Sequence, residues 1–148
     1  MINDYTHIIL ADDDEDDRDF FSDAFKELKM QTKVGLFNDG LQLMNYLSVA
    51  DSILPDILFL DLNMPFKSGL QCLNEIKAND RLKNIAIAIY STSASDEDIE
   101  ATFVNGANIY IKKPSDFETL KKILKDVVTI NWQYQTSGLN KDNFLLKL

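Results

Sequence analysis

Short apolar runs alternate along the chain with longer stretches whose apolar residues recur at three- and four-residue intervals. HIILA (7–11) predicts a buried strand. DDRDFFSDAFKELKM (16–30) then sets Phe21, Ala24, Phe25 and Leu28 on one face at helical spacing. Its acidic start and Lys29 near its end suit the helix dipole. KVGLF (33–37) predicts a second strand, NDG (38–40) a turn, and LQLMNYLSVA (41–50) a second helix. DILFL (56–60), introduced by Pro55, predicts the third strand, and GLQCLNEIKAN (69–79) the third helix. IAIAIY (85–90) predicts the fourth strand. SDEDIEATFVNG (95–106) predicts a helix opened by a variant capping box, Ser95 with Asp98, and closed at Gly106. NIYIK (108–112) predicts the fifth strand. DFETLKKILKDVVTI (116–130) predicts the fifth helix, with Leu120, Ile123, Leu124 and Val127 inward.

Strict alternation of strand and helix implies an α/β fold of the (βα)5 type, a doubly wound five-stranded parallel sheet with right-handed crossovers. The expected organisation is one domain over 1–130 and an extension over 131–148, NWQYQTSGLNKDNFLLKL, with no output domain. Trp132 and Tyr134 in that extension are expected to pack back on the body.

Composition narrows the function classes. The formal net charge of −9 argues against general binding to nucleic acid or an anionic membrane, which demands a basic patch. MINDYTH has no basic start and no apolar segment of signal length, and no apolar run approaches a membrane span, so a soluble cytoplasmic protein is expected. The single cysteine, Cys72, precludes an intramolecular disulfide and falls among Leu70, Leu73 and Ile76 as core filler. The single histidine, His7, cannot make a histidine-rich metal site.

Candidate chemistry lies at the strand ends. In ILFLDLNMP (57–65) an apolar strand delivers a carboxylate, Asp61, at its terminus, although an ionised carboxylate is costly to bury. In an open parallel sheet functional groups gather at the carboxyl ends of the strands. There stand Asp12, Asp13 and Asp14 after the first strand, Asp61 and Asn63 after the third, Ser91 and Thr92 after the fourth, and Lys112, Lys113 and Pro114 after the fifth. Singly these are ordinary caps and turn formers. Together they are complementary groups at four of five strand ends. Carboxylates brought close resist ionising together, and a hard divalent cation relieves that. Asp13 and Asp61 are therefore expected to bind Mg2+, with a backbone carbonyl near Asn63. Lys113 adds a second positive charge and Ser91 a hydrogen-bond donor. The set suits a phosphoryl group carried on Asp61 as nucleophile.

With these residues in order, the sequence resembles the receiver domain of two-component response regulators over residues 7 to about 130. The family's acidic pair matches Asp12 and Asp13, and its phosphoacceptor matches Asp61 in LDLNMP. Its switch hydroxyl matches Ser91 in YSTS, 30 residues on, and its lysine matches Lys113 in KKP, 22 further on. Tyr110, three residues before that lysine, matches the switch aromatic. The resemblance implies the flavodoxin-like, CheY-like strand order 2-1-3-4-5. It implies that Asp61 takes phosphate from a phosphohistidine on a sensor histidine kinase or a histidine phosphotransfer protein. Asp13 and Asp61 would ligate Mg2+ directly, Asp12 mostly through water, and Asn63 through its carbonyl. Ser91 would move toward the phosphoryl group and Tyr110 turn inward after it. The face of helix four, strand five and helix five would then change its affinity for a downstream protein, the chain acting as a monomer or weak homodimer. The family often has a cis bond before the matching proline, so Lys113–Pro114 is expected to be cis.

Three departures bear on the site. Ser91 replaces the commoner threonine and keeps the hydroxyl. Thr92 stands where a small residue is usual and is expected to narrow access. Asp14, Asp16 and Asp17 make the first loop unusually acidic. Among other classes, a haloacid-dehalogenase-like phosphohydrolase wants a second aspartate two residues after the nucleophile, where this chain has Asn63. A flavodoxin-type flavin carrier wants a phosphate-binding loop where this chain has DDDEDD (12–17). An unphosphorylated receiver-like scaffold would not need the complete set.

Overall fold

The computed structural model describes residues 5–130 and Phe144. Over residues 5–130 five strands and five helices alternate: β1 (Thr6–Ala11), α1 (Glu15–Leu28), β2 (Thr32–Phe37), α2 (Gly40–Leu47), β3 (Ile57–Leu60), α3 (Gly69–Lys77), β4 (Ala86–Ser91), α4 (Asp96–Val104), β5 (Ile109–Lys112) and α5 (Phe117–Thr129). All strand pairs are parallel and the order is β2-β1-β3-β4-β5, as expected. The predicted elements differ from the observed ones only at their ends. α2 is the largest case, stopping at Leu47 rather than reaching Ala50.

The helices cover both faces, which is why β3 and β4 read as continuous apolar runs. Every residue of either strand is buried. One face holds Phe21, Ala24 and Phe25 of α1 and Leu120, Ile123, Leu124 and Val127 of α5 against Ile8, Leu10, Phe59 and Tyr90. Phe21 lies at the centre of that face, with its ring centroid 5.0 Å from Phe59 and 5.8 Å from Tyr90. The other face packs α2 and α3, through Leu43, Leu47, Leu73 and Ile76, on Ile9, Leu58, Leu60 and Ile87. Cys72 lies in this layer with no exposure, and burial pushes its thiol up to about 12, so it is apolar filler as expected.

Caps set the helix starts. Asp14, Asp39, Ser68, Ser95 and Asp116 each accept a backbone N–H in the first turn of the helix that follows. The full reciprocal box occurs at Ser68 and Gln71 of α3. At α4 only half of the expected box forms. Ser95 Oγ accepts from the Asp98 N–H at 3.1 Å, but the Asp98 carboxylate instead accepts from Ser93 Oγ at 2.7 Å. The competing hydroxyl two residues upstream takes the side chain that would have closed the box.

Register aligns the carboxyl ends. Ala11 pairs with Leu60, and Leu60 with Ile89, so Asp12 and Asp61 leave adjacent central strands at the same level. The Asp61 N–H donates to the Ala11 carbonyl at 3.0 Å and fixes that level. Ser91 pairs with Lys112, which brings Lys113 to the same edge.

Candidate functional site

Carboxylate oxygens of Asp12, Asp13 and Asp61 lie within 4.8 Å of one another at this edge. Asp12 is fully buried, Asp61 is 5% exposed, and Asp13 is exposed at the rim. Asp12 Oδ1 accepts from the Asp14 N–H at 3.0 Å. The guanidinium of Arg18 donates to the Asp12 carbonyl at 2.8 Å and pins the loop from below. Asp14 is turned away from the cluster. Its carboxylate accepts from the Asp16 and Asp17 N–H groups and caps α1.

Lys113 reaches across the edge with 8% exposure. Its Nζ is 2.7 Å from Asp12 Oδ2, 2.8 Å from Asp17 Oδ2 and 3.6 Å from Asp61 Oδ2. Oδ2 of Asp12 is a buried oxygen whose partner is the Lys113 ammonium, an ion pair rather than a backbone or hydroxyl hydrogen bond. Such an atom suits a cation. Asp17 is the residue that sequence reasoning missed. Its partner is 96 positions away, so the sequence marks it only as added acidity in the loop.

Charge crowding shows in the protonation of the site. Burial, then the like charge of Asp12, pushes the Asp61 carboxyl up to about 7, against the opposing pull of Lys113 and of the Asn63 backbone N–H. Burial raises Asp12 as well, again against Lys113. Burial alone would lower the Lys113 ammonium, but its contacts with Asp12 and Asp17 outweigh that and hold it above the usual lysine range. The pocket therefore holds more negative charge than one ammonium balances. A divalent cation fits its oxygen donor set.

The remaining predicted residues stand around this centre. Ser91 is fully buried at the end of β4, and its Oγ accepts from the Ser93 N–H at 3.2 Å. Its carbonyl accepts from the Lys113 N–H at 2.8 Å, which ties the fourth and fifth strand ends together. Thr92 is exposed beside it, and Asn63 is exposed two residues beyond Asp61. Tyr110 is fully buried on β5, turned inward, and its hydroxyl donates to the Ser93 carbonyl at 2.7 Å. Gly69 closes the loop that follows Asp61. Its N–H donates to the Leu62 carbonyl at 2.9 Å, and a Cβ there would overlap the Asp61 carbonyl oxygen.

One expectation is corrected. Every described peptide bond is trans, Lys113–Pro114 included. Trans is the lower-energy isomer even before proline, by about 0.5–1 kcal/mol. With the bond trans, the Lys113 ammonium still reaches both Asp12 and Asp17. Trp132, Tyr134 and the rest of the predicted extension lie outside the described residues, except Phe144.

Comparison with known proteins agrees with this geometry. Residues 8–125 match the family model described as the response regulator receiver domain. The chain is 30% identical over 123 residues to a probable methanogenesis regulatory protein, FilR2, of Methanothrix harundinacea, covering 81% of this chain and 79% of that one. It is 29% identical over 124 residues to the response regulator Rcp1 of Synechocystis, covering 81% and 84%. Among solved structures, the manganese-bound form of Rcp1 superposes with a TM-score of 0.75 at 28% identity, over 84% of this chain and 93% of that one. The phosphorylated cyanobacterial phytochrome response regulator RcpA superposes with a TM-score of 0.77 at 29% identity, over 92% and 97%.

Proposed function

Because the chain belongs to the response regulator receiver family, we propose that it is a phosphorylation-dependent signalling switch whose phosphoacceptor is Asp61. Receivers of this family are signalling proteins rather than conventional enzymes, and the chemistry proposed is limited to the chain's own phosphorylation and its reversal. The donor is a phosphohistidine on a sensor histidine kinase or a phosphotransfer protein. The observation that supports this most is the convergence of Asp12, Asp13 and Asp61 at one sheet edge, with the Lys113 ammonium among them.

An ionised Asp61 oxygen attacks phosphorus, an O–P bond forms, and the N–P bond to the donor imidazole breaks, the ring nitrogen keeping the electron pair. When bound, a divalent cation, Mg2+ in our reading, would supply charge that keeps Asp61 ionised and would neutralise the phosphoryl oxygens. Asp13, Asp61 and the Asn63 carbonyl would hold it directly and Asp12 through water. The manganese in the related Rcp1 structure is consistent with a divalent site of this kind. Lys113, paired here with Asp12 and Asp17, would turn to a phosphoryl oxygen. The Ser91 hydroxyl donates to another, and Thr92 borders the approach. Tyr110 relays the change to the face formed by α4, β5 and α5, where a protein partner binds. No described helix is long and apolar enough to cross a membrane.

Incubation with acetyl phosphate and Mg2+ should add one phosphoryl group, labile to base as an acyl phosphate is. Chelation should prevent labelling and Asp61→Asn should abolish it. A label that survives Asp61→Asn, or one stable to base on a hydroxyl, would overturn the assignment.

A further inference from the structure

Helix α4 is thinly anchored. Of its nine residues only Thr102 is buried, while Ile99 and Phe103 are partly covered and Val104 is 69% exposed. It lies beside β5, which among the described residues is an edge strand paired with β4 alone. Against this flank sits Phe144, with no exposure. Its ring centroid is 5.3 Å from that of Phe103 and 6.1 Å, edge-on, from that of Tyr110. It joins the same apolar layer as Ile87, Ile89 and Ala107. A phenylalanine well past the end of α5 thus fills an aromatic seat built by α4 and β5.

We propose that the C-terminal segment, through Phe144, is the resident occupant of the α4–β5 flank, so that a protein docking there must first displace it. The seat is chemically specific. It offers two aromatic edges and aliphatic walls, which favour a ring in tilted contact over an aliphatic side chain. Tyr110 forms one wall and also donates to the Ser93 carbonyl beyond Ser91. Seating of Phe144 and the position of Tyr110 are therefore linked, and such linkage is reciprocal. The docking does not depend on the phosphoryl chemistry. Only its consequence for signalling rests on the function proposed above, and the test below needs no phosphorylation.

Trypsin acting on the full chain reads the docking directly, because Lys141 lies three residues before Phe144 and cleavage needs the chain on both sides of the scissile bond to be free. Phe144→Ala should speed cleavage after Lys141 by roughly ten-fold, the factor for giving up one buried ring less the entropy of holding the segment. Phe103→Ala should do the same from the other side of the contact, and Phe144→Leu should restore part of the protection. A synthetic peptide of residues 138–148 should bind Phe144→Ala saturably and wild type far more weakly, because in wild type the seat is filled. Far-UV circular dichroism of Phe144→Ala should stay close to wild type, since Phe144 is helical but lies outside the five strands and five helices of the body. Equal cleavage in wild type and Phe144→Ala, or equal peptide binding by both, would overturn the proposal. So would protection that disappears on dilution, which would mean that the segment sits on a second copy.

Discussion

Asp61→Asn should stabilise the metal-free protein, and only above a definable pH. Asp61 has a folded-state value of about 7 against 3.8 for an ordinary aspartate. Between those values the folded state holds more protons than the unfolded one, so stability falls as pH rises through about 4 to 7 and the loss is complete above 7. Three pH units at about 1.4 kcal/mol each set an upper bound of about 4 kcal/mol. That bound is already net of the attraction of Lys113, 3.6 Å away; relaxation and hydration of the pocket around a charged Asp61 reduce it, so about 2 kcal/mol of net gain is expected. For a domain of this size that is roughly 5 °C in Tm. Thermal melts in EDTA at pH 8 and pH 5 read the difference. The gain should be larger at pH 8 than at pH 5, where only about a third of the loss has accrued because unfolded Asp61 is ionised and folded Asp61 still protonated. Saturating Mg2+ at pH 8 should narrow the gap by stabilising wild type more than the variant. A gain of equal size at both pH values, or a loss at pH 8, would refute burial and charge crowding as the origin of the shift.

Other perturbations of the same edge have definite signs. Lys113→Ala leaves Asp12, Asp17 and Asp61 without their ammonium, and should cost about 3–5 kcal/mol in urea denaturation at pH 8, less at pH 5 where protons replace it. Protons compete with metal at a carboxyl near 7, so Mg2+ affinity by calorimetry should fall between pH 7 and 6 by about five-fold. Gly69→Ala puts a methyl group into the Asp61 carbonyl and within 2.8 Å of Leu62 Cα, so it should cost more than about 2 kcal/mol and weaken Mg2+ binding together with stability. An unchanged Mg2+ affinity in Gly69→Ala would show that the loop after Asp61 absorbs the clash without moving the carboxylate.

The sequence by itself determined the layout of this protein and the identity of its candidate site, because both are written in local periodicity. Apolar runs with a period of two or none mark strands such as Ile57–Leu60, and a residue directly after such a strand must emerge at its carboxyl end. Asp12, Asp13, Asp61, Ser91 and Lys113 were legible for that reason, and their spacing pointed to the family. What each does with its neighbours was decided only through space. Asp14 and Asp13 are the same residue type side by side, yet backbone direction at the start of α1 makes one a cap and leaves the other in the cluster. The register of Ala11 with Leu60 sets Asp12 beside Asp61, and that adjacency, together with burial, raises the Asp61 carboxyl. The pairing of Asp17 with Lys113 and the seating of Phe144 on Phe103 and Tyr110 join distant parts of the chain. No local pattern encodes such contacts, because they depend on where packing of the two helical layers leaves a charge unbalanced or an apolar seat open.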